Sequence, residues 1–132
     1  MTQEEKQLLL KDLCGRLPYG VMIKDTYYGH YGRLVEIGCK FAYFVSKLNS
    51  NTLDAQLCHV KPYLRPMSSM TEEEEDDLRV LKNCLVECNE DDDEKFYGII
   101  GDIHNFYYSR HIDCNSLIDR GLALEAPDGM YK

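Results

Sequence analysis

One stretch constrains the fold of this chain more than any other: KPYLRPMSSMTEEEEDD, residues 61–77, where two prolines are followed by a threonine and an unbroken run of six acids. Proline has no N–H for a ladder, so a strand ending at Pro62 and Pro66 is expected at an edge or leaving the sheet. Thr71 and Glu74 have the spacing of a capping box, with Ser69 and Glu72 as a second register, and a helix is expected to start here. Acids in its first turns complement the positive end of the helix dipole. The stretch is therefore a joint between a strand-textured region and a helical one.

Upstream, Thr2 and Glu5 repeat the capping-box spacing, and Leu9, Leu10, Leu13, Cys14 and Leu17 form an apolar stripe at helical period. Gly15 and Pro18 supply stop signals, so the first helix is expected to end near Cys14. GVMIKDTYY, YGRLVEIG and KFAYFVSK then read as three antiparallel strands, with Gly29, Gly32 and Gly38 supplying the positive φ angles of turns and bulges. LNSNTLD reads as a longer loop before a fourth strand, AQLCHVKPYL. Such strands form either a small antiparallel sheet or an SH3-like barrel, from about residue 19 to 66.

Downstream, Leu78, Leu81, Leu85 and Cys88 make the stripe of the helix that Thr71 opens, with Cys84 beside it. NEDDDEK is expected to end it in a solvated loop. Phe96, Ile99, Ile100, Ile103, Phe106 and Tyr107 make a further helical stripe, and NSLIDR reads as a short last helix between Asp113 as N-cap and Gly121 as C′ residue. The tail is expected to be extended, with one turn at Pro127–Gly129. The fold class is thus α+β in one domain, residues 1–132: an amino-terminal helix, the sheet or barrel, and a helical carboxy-terminal half.

No apolar run reaches the ~20 residues of a membrane helix, and the acidic start lacks the basic region and cleavage site of a signal peptide. A cytoplasmic location is expected, with the six cysteines reduced. The net charge of −8 argues against whole-surface attraction to nucleic acid or anionic lipid. That average hides an asymmetry. Eleven acids sit in two blocks, Glu72–Asp77 and Glu90–Glu94, leaving twelve acids against fifteen Lys and Arg elsewhere.

Candidate chemistry is sparse. Cys84, Cys88, His104 and His111 could converge on zinc, but their spacing is not that of knuckle turns and the cysteines belong to an apolar stripe, so no metal and no cofactor is expected. Cys58 beside His59 makes a poor dyad, because neighbouring strand residues point to opposite faces. Phosphate loops, dinucleotide fingerprints, nucleophile elbows and calcium loops are absent from the sequence, and no catalytic residue is assigned. Two clusters suit binding. Tyr27, Tyr28 and Tyr31, with His30, fall at an expected hairpin tip, where tyrosine offers stiff contact area with a polar end. Lys61, Tyr63 and Arg65 share one side of an extended segment, where they could hold a phosphate backbone or a carboxylate, or be neutralised by Glu72–Asp77.

LPYGV (17–21), KPYLRPMSSMTEEE (61–74) and LIDRGLALEAPDGMYK (117–132) resemble the signature blocks of an uncharacterised family of small proteins from gut anaerobic bacteria, often found in phage-like or other mobile regions. The resemblance implies a family and no activity. Where the family usually has an aromatic and RG before the last short helix, this chain has Cys114, Asn115 and Ser116, and its acidic NEDDDEK stretch is a further departure. The expected function is a non-enzymatic protein-interaction module of a phage or mobile element, using the tyrosine and sheet-edge surface to bind a protein. The alternative is a nucleic-acid-binding accessory protein using Lys61, Arg65 and the tyrosines.

Overall fold

A computed structural model describes residues 1–87 and 93–131. Thr2 opens helix α1 (Gln3–Arg16) with the expected capping box: its side chain accepts from the Glu5 N–H and the Glu5 carboxylate accepts from the Thr2 N–H. The helix runs past Cys14 because Gly15 is not a stop. A Cβ there would sit 2.5 Å from the Tyr108 ring, so the glycine lets α1 approach the second helical layer. The buried side of α1 also differs from its apolar stripe: Leu9 and Leu13 are buried with Asp12 and Arg16, whereas Cys14 is exposed.

Six strands follow: β1 (Met22–Asp25), β2 (Tyr31–Ile37), β3 (Phe41–Ser46), β4 (Thr52–Gln56), β5 (Val60–Leu64) and β6 (Leu124–Glu125). They form an open sheet in the order β4-β3-β2-β1-β5-β6, antiparallel except where β6 runs parallel to β5. The sheet does not close, so the barrel expected as one alternative is not formed. The expected fourth strand is instead two. A 3₁₀ turn at Leu57–His59 separates β4, which reaches back into LNSNTLD, from β5.

β5 is not the edge that its prolines suggested. Pro62 pairs with Ile23 on β1, and β6 covers the other flank only from Tyr63 onward, so the missing N–H costs no ladder bond on that side. Pro66 does leave the sheet, where it precedes a 3₁₀ turn at Met67–Ser69. Of the three turn glycines only Gly29 has a left-handed φ. Gly32 serves close approach: a Cβ would lie 1.9 Å from the Val45 carbonyl oxygen. A bulge between Leu34 and Glu36 shifts the β2–β3 register so that Ile37 falls opposite Ala42, on the core side.

Alternation puts Ile23, Leu34, Ala42, Phe44, Val60 and Leu64 on one face of the sheet, where Leu9 and Leu13 of α1 and Leu117, Leu122 and Ala123 from the tail complete the core. Each fully buried large side chain there contributes about 1.5–3 kcal/mol. A second cluster, Leu78, Phe106, Tyr107 and Ile112, joins α2 (Glu72–Val86) to α3 (Asp93–Ser109). Among the described residues the architecture is α+β: an amino-terminal helix, a mostly antiparallel six-stranded sheet and two further helices. None of the described helices is long and apolar enough to cross a membrane.

Thr71 caps α2 with the expected box. The stretch expected as its solvated end lies outside the described residues from Cys88 to Asp92, and Asp93 and Glu94 stand in the first turn of α3. Phe96 is exposed, so the α3 stripe is buried only near its end, at Phe106, Tyr107 and Tyr108. The expected last helix does not form. Asp113 does take up the N–H groups of Leu117 and Ile118, but Ser116 adopts a left-handed φ of 57°, which breaks the segment into turns.

Candidate binding face on the open sheet

The sheet face turned away from α1 carries the residues that the core does not use. Lys24 on β1 is in register with Tyr31 on β2 and with Lys61 on β5, so the three form one cross-strand row. In the next row Arg33 stands opposite Met22, and Tyr63 follows Lys61 by two residues on the same face. The Tyr31 and Tyr63 rings meet edge to face, with centroids 6.5 Å apart. Burial raises the Tyr63 phenol above its ordinary pKa, and the neighbouring Tyr31 adds to this. Lys47, just past β3, donates its backbone N–H to the Tyr31 carbonyl and brings a fourth cation to the same end.

The β1–β2 tip is built rather than loose. Buried Asp25 accepts the Tyr27 N–H, and the Thr26 N–H and hydroxyl both donate to the His59 carbonyl. Tyr27 then stacks on His59 and Tyr28 on His30, although Tyr27 and Tyr28 keep 66% and 72% of their surface exposed. Cys58 and His59 lie in a 3₁₀ turn, not on a strand, so the strand argument against their pairing does not apply. The imidazole is engaged with Tyr27, and the Cys58 thiol lies 3.7 Å from the Gln56 Oε1.

Among the described residues Lys24, Arg33, Lys47 and Lys61 have no ion pair. Like charges directly opposite in a sheet are destabilising, so the Lys24–Lys61 pair is a cost that the fold itself does not require. Glu36 and Asp54, the strand acids on this face, lie opposite Tyr43 at its far end.

Arg65 has a different fate from Lys61 and Tyr63. Its guanidinium is bonded to both Glu74 oxygens at 2.7 and 3.0 Å and to the Ser69 carbonyl, so it is neutralised within the chain. That bond holds the Glu74 carboxyl down at about 2, with the capping contacts to Thr71 assisting. Arg110 adds a longer contact to Glu74 at 3.7 Å. A groove of about 570 Å³ lies between this joint and the tail, and on its joint side Arg65, Ser69, Thr71 and Glu74 are already bonded to one another.

Of the residues expected to bind, the structure brings together Lys61, Tyr63 and Tyr31, and places Tyr27 and Tyr28 at the adjoining tip. Sequence pattern did not single out Lys24, Arg33 and Lys47. Alternation of Lys24 with the buried Ile23 and Asp25 was the available signal. Cys84 is exposed, His104 stacks on Tyr108, His111 stacks on Tyr131, and Cys88 lies outside the described residues. Among the described residues no three His, Cys, Asp or Glu side chains gather as metal ligands.

Comparison with protein-family models, with curated proteins and with solved structures finds no match.

Proposed function

We propose that the protein is a non-enzymatic binding module whose open sheet face takes single-stranded nucleic acid. The observation that carries this reading is the unpaired Lys24–Lys61 row beside the Tyr31 and Tyr63 rings. Lysines in line hold successive phosphates, and each base stacked on an aromatic ring adds about 1–3 kcal/mol. A duplex has no free base faces to offer such a surface. The net charge of −8 confines attraction to this patch, in keeping with a strand-sized footprint and not a general polyanion binder. In the cell the module would serve as a cytoplasmic accessory of a phage or mobile element.

Fluorescence anisotropy of a labelled single strand tests this. Binding at low salt is expected to weaken with a log–log slope of about −1.4, set by Lys24 and Lys61, and to be lost in the Lys24→Ala/Lys61→Ala double variant. No anisotropy change with DNA or RNA strands at low salt would remove the reading. A protein partner is the second reading, favoured by the exposed Tyr27 and Tyr28 at the built tip. It expects affinity capture from the host to be lost with Tyr27→Ala/Tyr28→Ala and to be indifferent to competing nucleic acid.

A further inference from the structure

The strand-binding face ends against the carboxy-terminal tail in a cavity of about 420 Å³, lined by Met22, Tyr31, Lys47, Tyr63 and the turn Pro127–Met130. This volume falls in the range that holds small aromatic ligands. The tail wall is a fixed part of the cavity. β6 pairs with β5, the Met130 N–H closes the turn on the Pro127 carbonyl, and Tyr131 locks the end. The Tyr131 hydroxyl donates to the Tyr63 carbonyl at 2.6 Å and accepts from the Met22 N–H at 2.9 Å, while its ring stacks on His111 at 3.8 Å. One phenol thus ties the tail to two strand residues that line the cavity.

Resting on the strand-binding reading, we infer that this cavity is a guanine subsite, taking one base turned out of the bound strand. Tyr31 and Tyr63 meet at 78°, so they form an aromatic corner in which a base stacks on one ring and meets the edge of the other. The two charged residues of the lining have opposite sign, Lys47 and Asp128. A carboxylate is a poor neighbour for phosphate, but its two oxygens suit a pair of adjacent N–H donors. Guanine alone among the common bases presents such a pair, at N1 and N2, and its O6 and N7 accept from a lysine. Thymine and uracil offer a single ring N–H. Lys24 and Lys61 lie outside the cavity on the same face and receive the flanking phosphates.

The test uses the full chain and a thymidine strand of about ten nucleotides carrying one central guanosine, inosine, adenosine or cytidine, read by anisotropy at low salt. The guanosine strand is expected to bind roughly tenfold more tightly than the all-thymidine strand, and inosine, which lacks the N2 amino group, to give little of that gain. In Asp128→Asn the guanosine and inosine strands are expected to bind alike. Equal affinity of the wild-type chain for all strands would overturn the guanine subsite while leaving strand binding in place. A preference for adenosine or cytidine would overturn the base assignment. Binding of guanosine monophosphate as tight as that of the strand would overturn the strand as occupant, and no binding of any strand would overturn both readings.

Discussion

Two regions of this molecule handle charge in opposite ways. In the helical layer and at the β5–α2 joint, two arginines are used up internally: Arg16 lies fully buried on Asp12, and Arg65 is clamped by Glu74. On the outer sheet face, Lys24 and Lys61 oppose each other with no acid between them. A single alternating segment, Lys61-Pro62-Tyr63-Leu64-Arg65, crosses from one regime to the other within five residues. Charge that the fold needs comes with short bonds and low exposure. Charge that the fold tolerates at a cost is where an external partner is to be sought.

The contrast can be broken most forcefully in the helical layer. Arg16 Nε and Nη2 bond the two Asp12 oxygens at 2.6 and 3.1 Å, Nη2 also donates to the Ile112 carbonyl, and the guanidinium stacks over Tyr108. Asp12→Ala leaves a buried cation unpaired, and a loss of about 3–5 kcal/mol is expected in chemical denaturation. If the loss is under about 1 kcal/mol, the pair is not structural and the contrast fails.

Smaller effects follow from pH. Burial, with Arg16 and Arg65 nearby, lowers His111 to about 4 from 6.5. The unfolded chain then takes up the proton first, so this contribution is complete above pH 6.5 and is lost as pH falls toward 4. Glu74, lowered from 4.5 to about 2 chiefly by the Arg65 hydrogen bonds, contributes fully above pH 4.5 and loses it as pH falls through about 2. Thermal melts should therefore show two acid limbs. His111→Asn, with a side chain that tolerates the left-handed φ of 59°, should erase the upper limb. Glu74→Gln should erase the lower one and, because solvent screens this partly exposed pair, lower neutral-pH stability by about 1 kcal/mol. Glu74→Gln, whose partners lie at the joint, is not expected to alter strand binding at neutral pH. A single limb that both substitutions leave in place would sink these assignments.

How much of this was legible depends on sequence distance. Both capping boxes and the Pro127–Gly129 turn rest on contacts within a few residues, and pattern alone located them; the β1–β2 tip was located by its turn residues, although His59 also holds it. Arg65 was half legible: the rule that put Glu74 at the third helical position also aimed its carboxylate back toward the joint. Asp12 and Arg16 carry no local mark of burial, because their partners, Ile112 and Asn115, come from the far end of the chain. Tyr131 likewise bonds Tyr63 and Met22 across distances that no local pattern carries. The last helix failed because Asp113 supplied a cap without a following helical Ser116. Lys24 was visible as an outward residue of its strand, but its place opposite Lys61 is fixed only by the β1–β5 register.

That register yields the smallest stability effect and the sharpest separation of the two regions. Lys61→Glu puts an acid directly across from Lys24 and replaces a like-charge pair with an attractive one. Cross-strand pairs of this kind are worth about 0.2–1 kcal/mol, so the variant should be as stable as the parent or slightly more so. Its affinity for a single strand should nevertheless fall, because a phosphate would now meet a carboxylate in the middle of the row. Arg65→Glu is the matched control at the joint. It faces Glu74 instead of Lys24, and is expected to lower stability with no direct contact to the proposed strand path. If Lys61→Glu destabilises the fold as Arg65→Glu does, the outer row is structural and the distinction between the two regions collapses. If it stabilises the fold and abolishes binding, the unpaired lysines are kept for the ligand at the expense of the sheet.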